Sequence, residues 1–292
     1  MSDVKTMGVI GAGQMGGGIS QIAAVASMDV VVYDAHQAAL DKCKATHQKL
    51  LARAVEKGKM AQGDCDAALK RIKYTANWND LAGVDWAVEA VVENADVKAE
   101  IFAKLATTLT KPDAVLATNT SSISITQIAA AADKAKSGIA SRVVGMHFFF
   151  PVPVMKLVEI IKGLQTDDAI VARTSALAER MGKTPLTAND RAGFVSNRVL
   201  MPMINEGFYA LMEGVAEPEA IDGIMTLGCN FPMGPLRLAD FIGLDTCAHI
   251  MDVLAEGLNS ERYRPCPLIR QLVAAGRLGN KTGRGVFDYT QK

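Results

Sequence analysis

Met7-Gly8-Val9-Ile10-Gly11-Ala12-Gly13-Gln14-Met15-Gly16 is a short apolar run that breaks into G-x-G-x-x-G. The run 7–10 suits a strand buried on both faces, and 15–27 reads as the helix that follows it. In such a strand–turn–helix unit each glycine has a separate task. Gly11 permits the tight turn, Gly13 lets the backbone approach a pyrophosphate, and Gly16 lets the helix pack on the strand. The first helical residues, Gln14 and Met15, bring free N–H groups and the positive end of the helix dipole to the same place. A second apolar run, 30–33, ends at Asp34. An acid about 20 residues beyond the first glycine is placed to hold ribose hydroxyls. Its charge repels a 2′-phosphate, and Ala35-His36-Gln37 contains no arginine to offset that repulsion. The stretch therefore predicts a dinucleotide site that favours NAD over NADP.

Outward from this unit, apolar runs alternate with helical patterns. Further runs lie at 86–92, 114–118, 143–149 and 154–161, with a short one at 184–187. A long polar helix is expected over 37–57 and another helix over 167–181. This alternation predicts an α/β fold: a Rossmann-type, doubly wound, mostly parallel sheet. After Asn189-Asp190 the pattern turns helical, with stretches at 194–211, 218–227, 240–258 and 267–275. Pro202 is expected to bend the first of these. The expected organisation is thus residues 1–187 as an NAD-binding domain and 188–292 as a second, smaller, all-helical domain.

Bulk properties narrow the function. With 292 residues, 49% of them hydrophobic, the chain can bury a large core. Lysine plus arginine equals aspartate plus glutamate at 31 each, which speaks against a nucleic-acid or membrane-surface partner. No run approaches the length of a membrane span, and no signal-peptide pattern precedes 7–10. Cys43, Cys65, Cys229, Cys247 and Cys266 form no C-x-x-C pair, so no zinc site or other metal site is expected. Reduced thiols and a cytoplasmic location follow.

Candidate chemistry gathers where strands end, because ligands of open α/β sheets sit outside the carboxyl ends of the strands. Glu93 follows one run; it either faces that crevice or serves as the acid before a helix near residue 95. Asn119 and Ser121 follow another, and either face the crevice or cap a helix near residue 125. His147 ends the run 143–149. Pro151-Val152-Pro153 then turns the chain into Leu157-Val158-Glu159-Ile160-Ile161. An ionised carboxylate between Val158 and Ile160 is costly unless paired, and His147 is the nearest partner across the turn. A carboxylate on one ring nitrogen would fix the tautomer and make the other nitrogen a better base. The alternative is a core histidine bonded to backbone, with Glu159 at the sheet surface.

Gly11–Gly16, Asn119–Ser122, His147-Phe148-Phe149 with Pro151–Glu159, Gly193–Arg198 and Lys281–Gly285 together resemble the 3-hydroxyacyl-CoA dehydrogenase family, across essentially the whole chain. The short bacterial 3-hydroxybutyryl-CoA dehydrogenases are the nearest likeness. The resemblance implies that His147 is the general base in oxidation and that Glu159 orients it. It puts Ser121 and Asn197 at the reacting oxygen and the thioester. Asp34 and the glycine turn would hold the adenosine half of NAD. Glu93, Lys98 and Asn119 would flank the nicotinamide ribose, with Lys281 closing from the second domain. Arg53 and Lys57 would meet the CoA phosphates of an acyl-CoA substrate, unless they are simply a solvated helix face. A homodimer through the helical domain is also implied. The chain departs from the family pattern at Phe150, Phe231 and Ala192, where asparagine, histidine and proline are usual; acyl preference is the property most exposed to these changes. Two rivals share the fold: a sugar-acid dehydrogenase with the same His–Glu pair, and a non-enzymatic, crystallin-like NAD-binding protein. Dehydrogenases of free β-hydroxy acids rely instead on a helical lysine, and no such motif displaces the pair here.

Overall fold

The computed structural model describes residues 4–290. They divide into two units, one ending at Asp190 and one beginning at Arg191. The first unit runs β1 (Thr6–Ile10), α1 (Gln14–Val25), β2 (Asp29–Tyr33), α2 (Gln37–Glu56), α3 (Gln62–Lys70), β3 (Ile72–Thr75), β4 (Trp86–Glu89), α4 (Ala95–Thr108), β5 (Val115–Thr118), α5 (Ile125–Ala135), β6 (Val143–Phe148), β7 (Leu157–Lys162), α6 (Asp168–Arg180) and β8 (Thr184–Asn189). The strands form one sheet in the order β3-β2-β1-β4-β5-β6-β7-β8. Every neighbouring pair is parallel except β6 and β7. Strand order reverses between β1 and β4, which opens a crevice at their carboxyl ends. The inner strands are buried on both faces: β4, β5 and β6 expose no residue. That is why they read as unbroken apolar runs rather than alternating ones.

Several expected boundaries shift. The run 86–92 ends as a strand at Glu89, because the chain leaves the sheet toward α4. The run 154–161 becomes a strand only at Leu157, since 151–155 coils into a turn in which Val154 and Met155 both donate to Pro151 O. α3 and β3 were not expected. α3 carries few apolar side chains, and β3 is an edge strand with only Ile72 buried. β8 runs on past 187 to Asn189, and the Asp190 carboxylate accepts from Ser124 Oγ and Thr126 N at the start of α5. The first unit therefore ends three residues later than the sequence pattern suggests.

The second unit is helical: α7 (Ser196–Met212), α8 (Pro218–Leu227), α9 (Pro235–Ile242), α10 (Leu244–Gly257) and α11 (Pro267–Ala274). Pro202 lies inside α7. The stretch 240–258 is not one helix. α9 and α10 meet at Gly243, whose φ of 103° breaks the helical path. Asp240 belongs to α9 and is buried, where it accepts from Val286 N, Phe287 N and Tyr289 Oη. Asp222 of α8 accepts from Leu236 N and Arg237 N, filling the orphan donors at the start of α9.

His47 on α2 is buried behind the glycine turn. Its Nε2 lies 2.7 Å from Gly17 O and its Nδ1 2.6 Å from Tyr74 Oη. A carbonyl can only accept, so Nε2 carries the proton and Nδ1 accepts from the tyrosine. Burial lowers the imidazole below its ordinary 6.5, only partly opposed by the Gly17 bond. A base lowered on folding takes up fewer protons folded than unfolded. Its contribution to stability is therefore full above about 6.5 and is lost as pH falls below that value. The denaturant midpoint is expected to drop below pH 6.5, and His47→Gln to flatten that drop. Equal pH slopes for the two proteins would rule the assignment out.

Candidate active site

The turn after β1 is dictated by space. Gly11 has φ 105°, and a Cβ there would sit 2.6 Å from Ala90 O. A Cβ on Gly16 would sit 1.9 Å from Gly11 O. At Gly13 a Cβ would meet nothing within 4 Å, and α1 has no side-chain cap. The backbone N–H groups at this helix start thus face open space that suits an anionic group. A cleft of about 800 Å³ begins here, lined by Gly11, Gly13, Gln14, Met15 and Asp34 among others. Asp34 is held by two amides: Oδ2 accepts from Ala12 N and Oδ1 from His36 N, each at 2.9 Å. The opposite wall holds Trp78, whose ring meets Tyr33 edge-on at 4.9 Å and carries Lys104 Nζ at 4.2 Å. No sequence signal marked Trp78 or Lys104, because both reach the cleft only through tertiary packing.

Beside the cleft the ends of β4 and β5 are tied by carboxylates. Glu93 is not the helix cap; Asn94 is, accepting from Val97 N. Glu93 Oε1 instead accepts from Thr120 Oγ1, Ser121 N, Ser121 Oγ, Ser122 N and Ser122 Oγ at 2.6–3.2 Å. Burial raises the Glu93 carboxyl, but Lys98 and these donors outweigh it and hold the group below its ordinary value. Ser124, not Asn119 or Ser121, caps α5. Asn119 Oδ1 accepts from Phe148 N at 2.9 Å, which locks the end of β5 to the end of β6. Lys98 is buried and bonds Glu89 at 2.6 Å. Glu89 was missed in the sequence, although an acid inside Trp86-Ala87-Val88-Glu89-Ala90 is the same kind of signal that marked Glu159.

His147 and Glu159 are directly opposed in the antiparallel β6–β7 ladder. The short connection 149–156 cannot make a parallel crossover, so the strands fold back and the two side chains meet. Nδ1 lies 2.7 Å from Glu159 Oε2, with the residues 8% and 4% exposed. The Phe149 ring packs at 4.6 Å from the imidazole. The turn itself is anchored by Lys183, buried, whose Nζ donates to Val152 O and Met155 O. Burial, then the nearby Lys156, lowers this ammonium. Val152 packs on α1 at Gly18, where a Cβ would come within 2.6 Å of it. The hairpin that carries the His–Glu pair is therefore seated on the same helix that opens the cleft.

Other expected site residues lie elsewhere. Arg53 and Lys57 are exposed at the end of α2. Asn197 is buried in the first turn of α7, and Lys281 pairs with Asp245 Oδ2 at 2.7 Å; both belong to the second unit. Phe150 is half exposed. Among the described residues, no group of three or more His, Cys, Asp or Glu is placed to hold a metal ion.

A glycine turn at the strand-order switch, an acid fixed beside it and a buried His–Glu pair thus stand at the carboxyl ends of a Rossmann-type sheet. The family model described as the NAD binding domain of 3-hydroxyacyl-CoA dehydrogenase matches residues 6–191, and that of its C-terminal domain matches 193–289. The chain is 54% identical over 282 residues to a probable 3-hydroxybutyryl-CoA dehydrogenase of Deinococcus radiodurans, covering 97% of this chain and 99% of the relative. It is 50% identical to another from Bacillus subtilis, covering 99% of each. The crystal structure of (S)-3-hydroxybutyryl-CoA dehydrogenase from Ralstonia eutropha superposes with a TM-score of 0.94 at 47% identity, covering 99% of this chain and 100% of that one. The chain belongs to the 3-hydroxyacyl-CoA dehydrogenase family. It is an NAD-dependent oxidoreductase acting on 3-hydroxyacyl-CoA.

Proposed function

We propose that the substrate is a short acyl-CoA, 3-hydroxybutyryl-CoA, and that His147 moves its hydroxyl proton. The carrying observation is the His147–Glu159 bond, 2.7 Å long between directly opposed residues of two buried strands. Loss of hydride from an alcohol carbon requires a base for the hydroxyl proton. Glu159 accepts from Nδ1, which leaves Nε2 as the basic atom. In oxidation Nε2 takes the proton, and Glu159 stabilises the resulting imidazolium; in reduction Nε2 returns it. NAD, when bound, supplies the hydride chemistry. Gly11, Gly13, Gln14, Met15 and Gly16 cradle its pyrophosphate, and Asp34 holds the adenosine ribose. Glu93, Lys98, Asn119 and Lys281 serve the nicotinamide half. Ser121 and Asn197 offer donors to the reacting oxygen and the thioester carbonyl, and Arg53 and Lys57 meet the CoA phosphates. The names of the relatives from Deinococcus radiodurans and Bacillus subtilis support the four-carbon acyl group. The test compares kcat/KM for acetoacetyl-CoA, longer 3-oxoacyl-CoAs and a sugar acid. Highest efficiency with acetoacetyl-CoA is expected; a preference for the sugar acid would overturn the reading.

Asp34 also sets a cofactor preference. Its carboxylate is fixed by two backbone amides, so it cannot swing away from a 2′-phosphate without breaking both. NADH is expected to give the higher kcat/KM on one substrate, and a preference for NADPH would refute this role.

The helical unit leaves Val199, Ile224, Leu227 and Phe241 exposed on α7, α8 and α9, which supports a homodimer formed through it; sedimentation that returns only the monomer mass would exclude this. A reducing, cytoplasmic setting suits the five unpaired cysteines. Burial, with the nearby Asp34, pushes the Cys43 thiol up to about 11, and burial pushes Cys247 up to about 12, which leaves both inert. Among the described residues, no helix is long and apolar enough to cross a membrane.

A further inference from the structure

One ammonium stands between two carboxylates beside the cleft, and it is shared unequally. Lys98 Nζ lies 2.6 Å from Glu89 Oε1 and 3.4 Å from Glu93 Oε2. Glu89 is fully buried at the end of β4, and each of its oxygens is used. Oε1 also accepts from Val91 N at 2.7 Å, and Oε2 accepts from Thr118 Oγ1 at 2.7 Å. Desolvating such a pair costs free energy, and a well-packed apolar pair often serves stability as well or better. The arrangement needs a reason other than stability, and the neighbouring Glu93 supplies one. Because Glu89 holds the lysine, Glu93 keeps Oε1 for the donors of Thr120, Ser121 and Ser122.

We propose that Glu89 is a positioning residue for the reaction: by holding Lys98 it keeps Glu93 on the 120–122 segment and so fixes Ser121. This rests on the reading of Ser121 as a donor to the reacting oxygen. Without the charge at 89, Lys98 has one strong partner left. It moves onto Glu93, the carboxylate turns toward it, and the segment carrying Ser121 loses its anchor. A displacement of about 1 Å at a reacting group can cost on the order of 10²-fold in rate.

The test is a double-mutant cycle on the full chain, with acetoacetyl-CoA and NADH as substrates. Glu89→Gln keeps the size of the side chain and removes its charge. It is expected to lower kcat by about 10–10²-fold, as a misplaced donor does. In a Ser121→Ala background the same change should lower kcat by less than about threefold, because both act through one contact. A purely structural role would lower the melting temperature and act equally in both backgrounds. Thr118→Val, which frees only one oxygen of Glu89, provides the folded variant should Glu89→Gln fail to fold. It is expected to show a smaller loss with the same non-additivity. Additive effects in either cycle, with an active unmodified enzyme, overturn the role of Glu89 alone. An unmodified enzyme that leaves NADH unoxidised overturns the reading of the site and this role with it.

Discussion

Replacing His147 by glutamine is expected to lower turnover of a 3-oxoacyl-CoA by about 10²–10⁴-fold, the usual worth of a general acid–base group, while NADH affinity stays near that of the unmodified enzyme. The separation follows from where the residue sits. His147 lies at the carboxyl end of β6, whereas the glycine turn joins β1 to α1 and Asp34 follows β2. Glutamine retains a donor for Glu159, so the β6–β7 pairing loses little. What it cannot do is accept a proton and carry charge. Steady-state kinetics at saturating substrate, with NADH binding followed by its fluorescence, separates the two effects. A loss of turnover within about tenfold would mean that another group moves the proton.

Glu159→Gln is the second large effect, and it works through His147. The amide oxygen can still accept from Nδ1, so ring orientation is largely retained. The charge that steadies an imidazolium is gone, in a setting where both residues are almost fully buried and solvent cannot replace it. Turnover is expected to fall by about 10²-fold or more, as when a neutral amide replaces the carboxylate of a catalytic triad. Turnover of Glu159→Gln within about tenfold of the unmodified enzyme would show that Glu159 only supports the strand.

The parts of this site that could be read in the sequence are those where local chemistry is forced. Gly11 and Gly16 have no room for a side chain, so a glycine motif between a strand and a helix had one reading. Glu159 was legible because an acid between Val158 and Ile160 has to be paired. The same reasoning applied to Glu89 also calls for a partner, but that partner, Lys98, lies on α4 rather than across a turn, and nothing local points to it. α3 and β3 escaped because neither carries a strong apolar period: α3 buries only Cys65 and Ala68, and β3 only Ile72. The break at Gly243 was hidden by apolar residues on both sides, which continue the helical pattern across the glycine. Lys183 gave no signal either, since its partners are backbone carbonyls of a turn whose shape only the fold determines.

The most direct measurement is to add acetoacetyl-CoA to the purified chain with NADH. Reduced nicotinamide should be consumed in step with formation of (S)-3-hydroxybutyryl-CoA, and the His147→Gln variant should do so only slowly. A folded protein that binds NADH yet leaves it unoxidised at saturating acetoacetyl-CoA would contradict the assignment of this site.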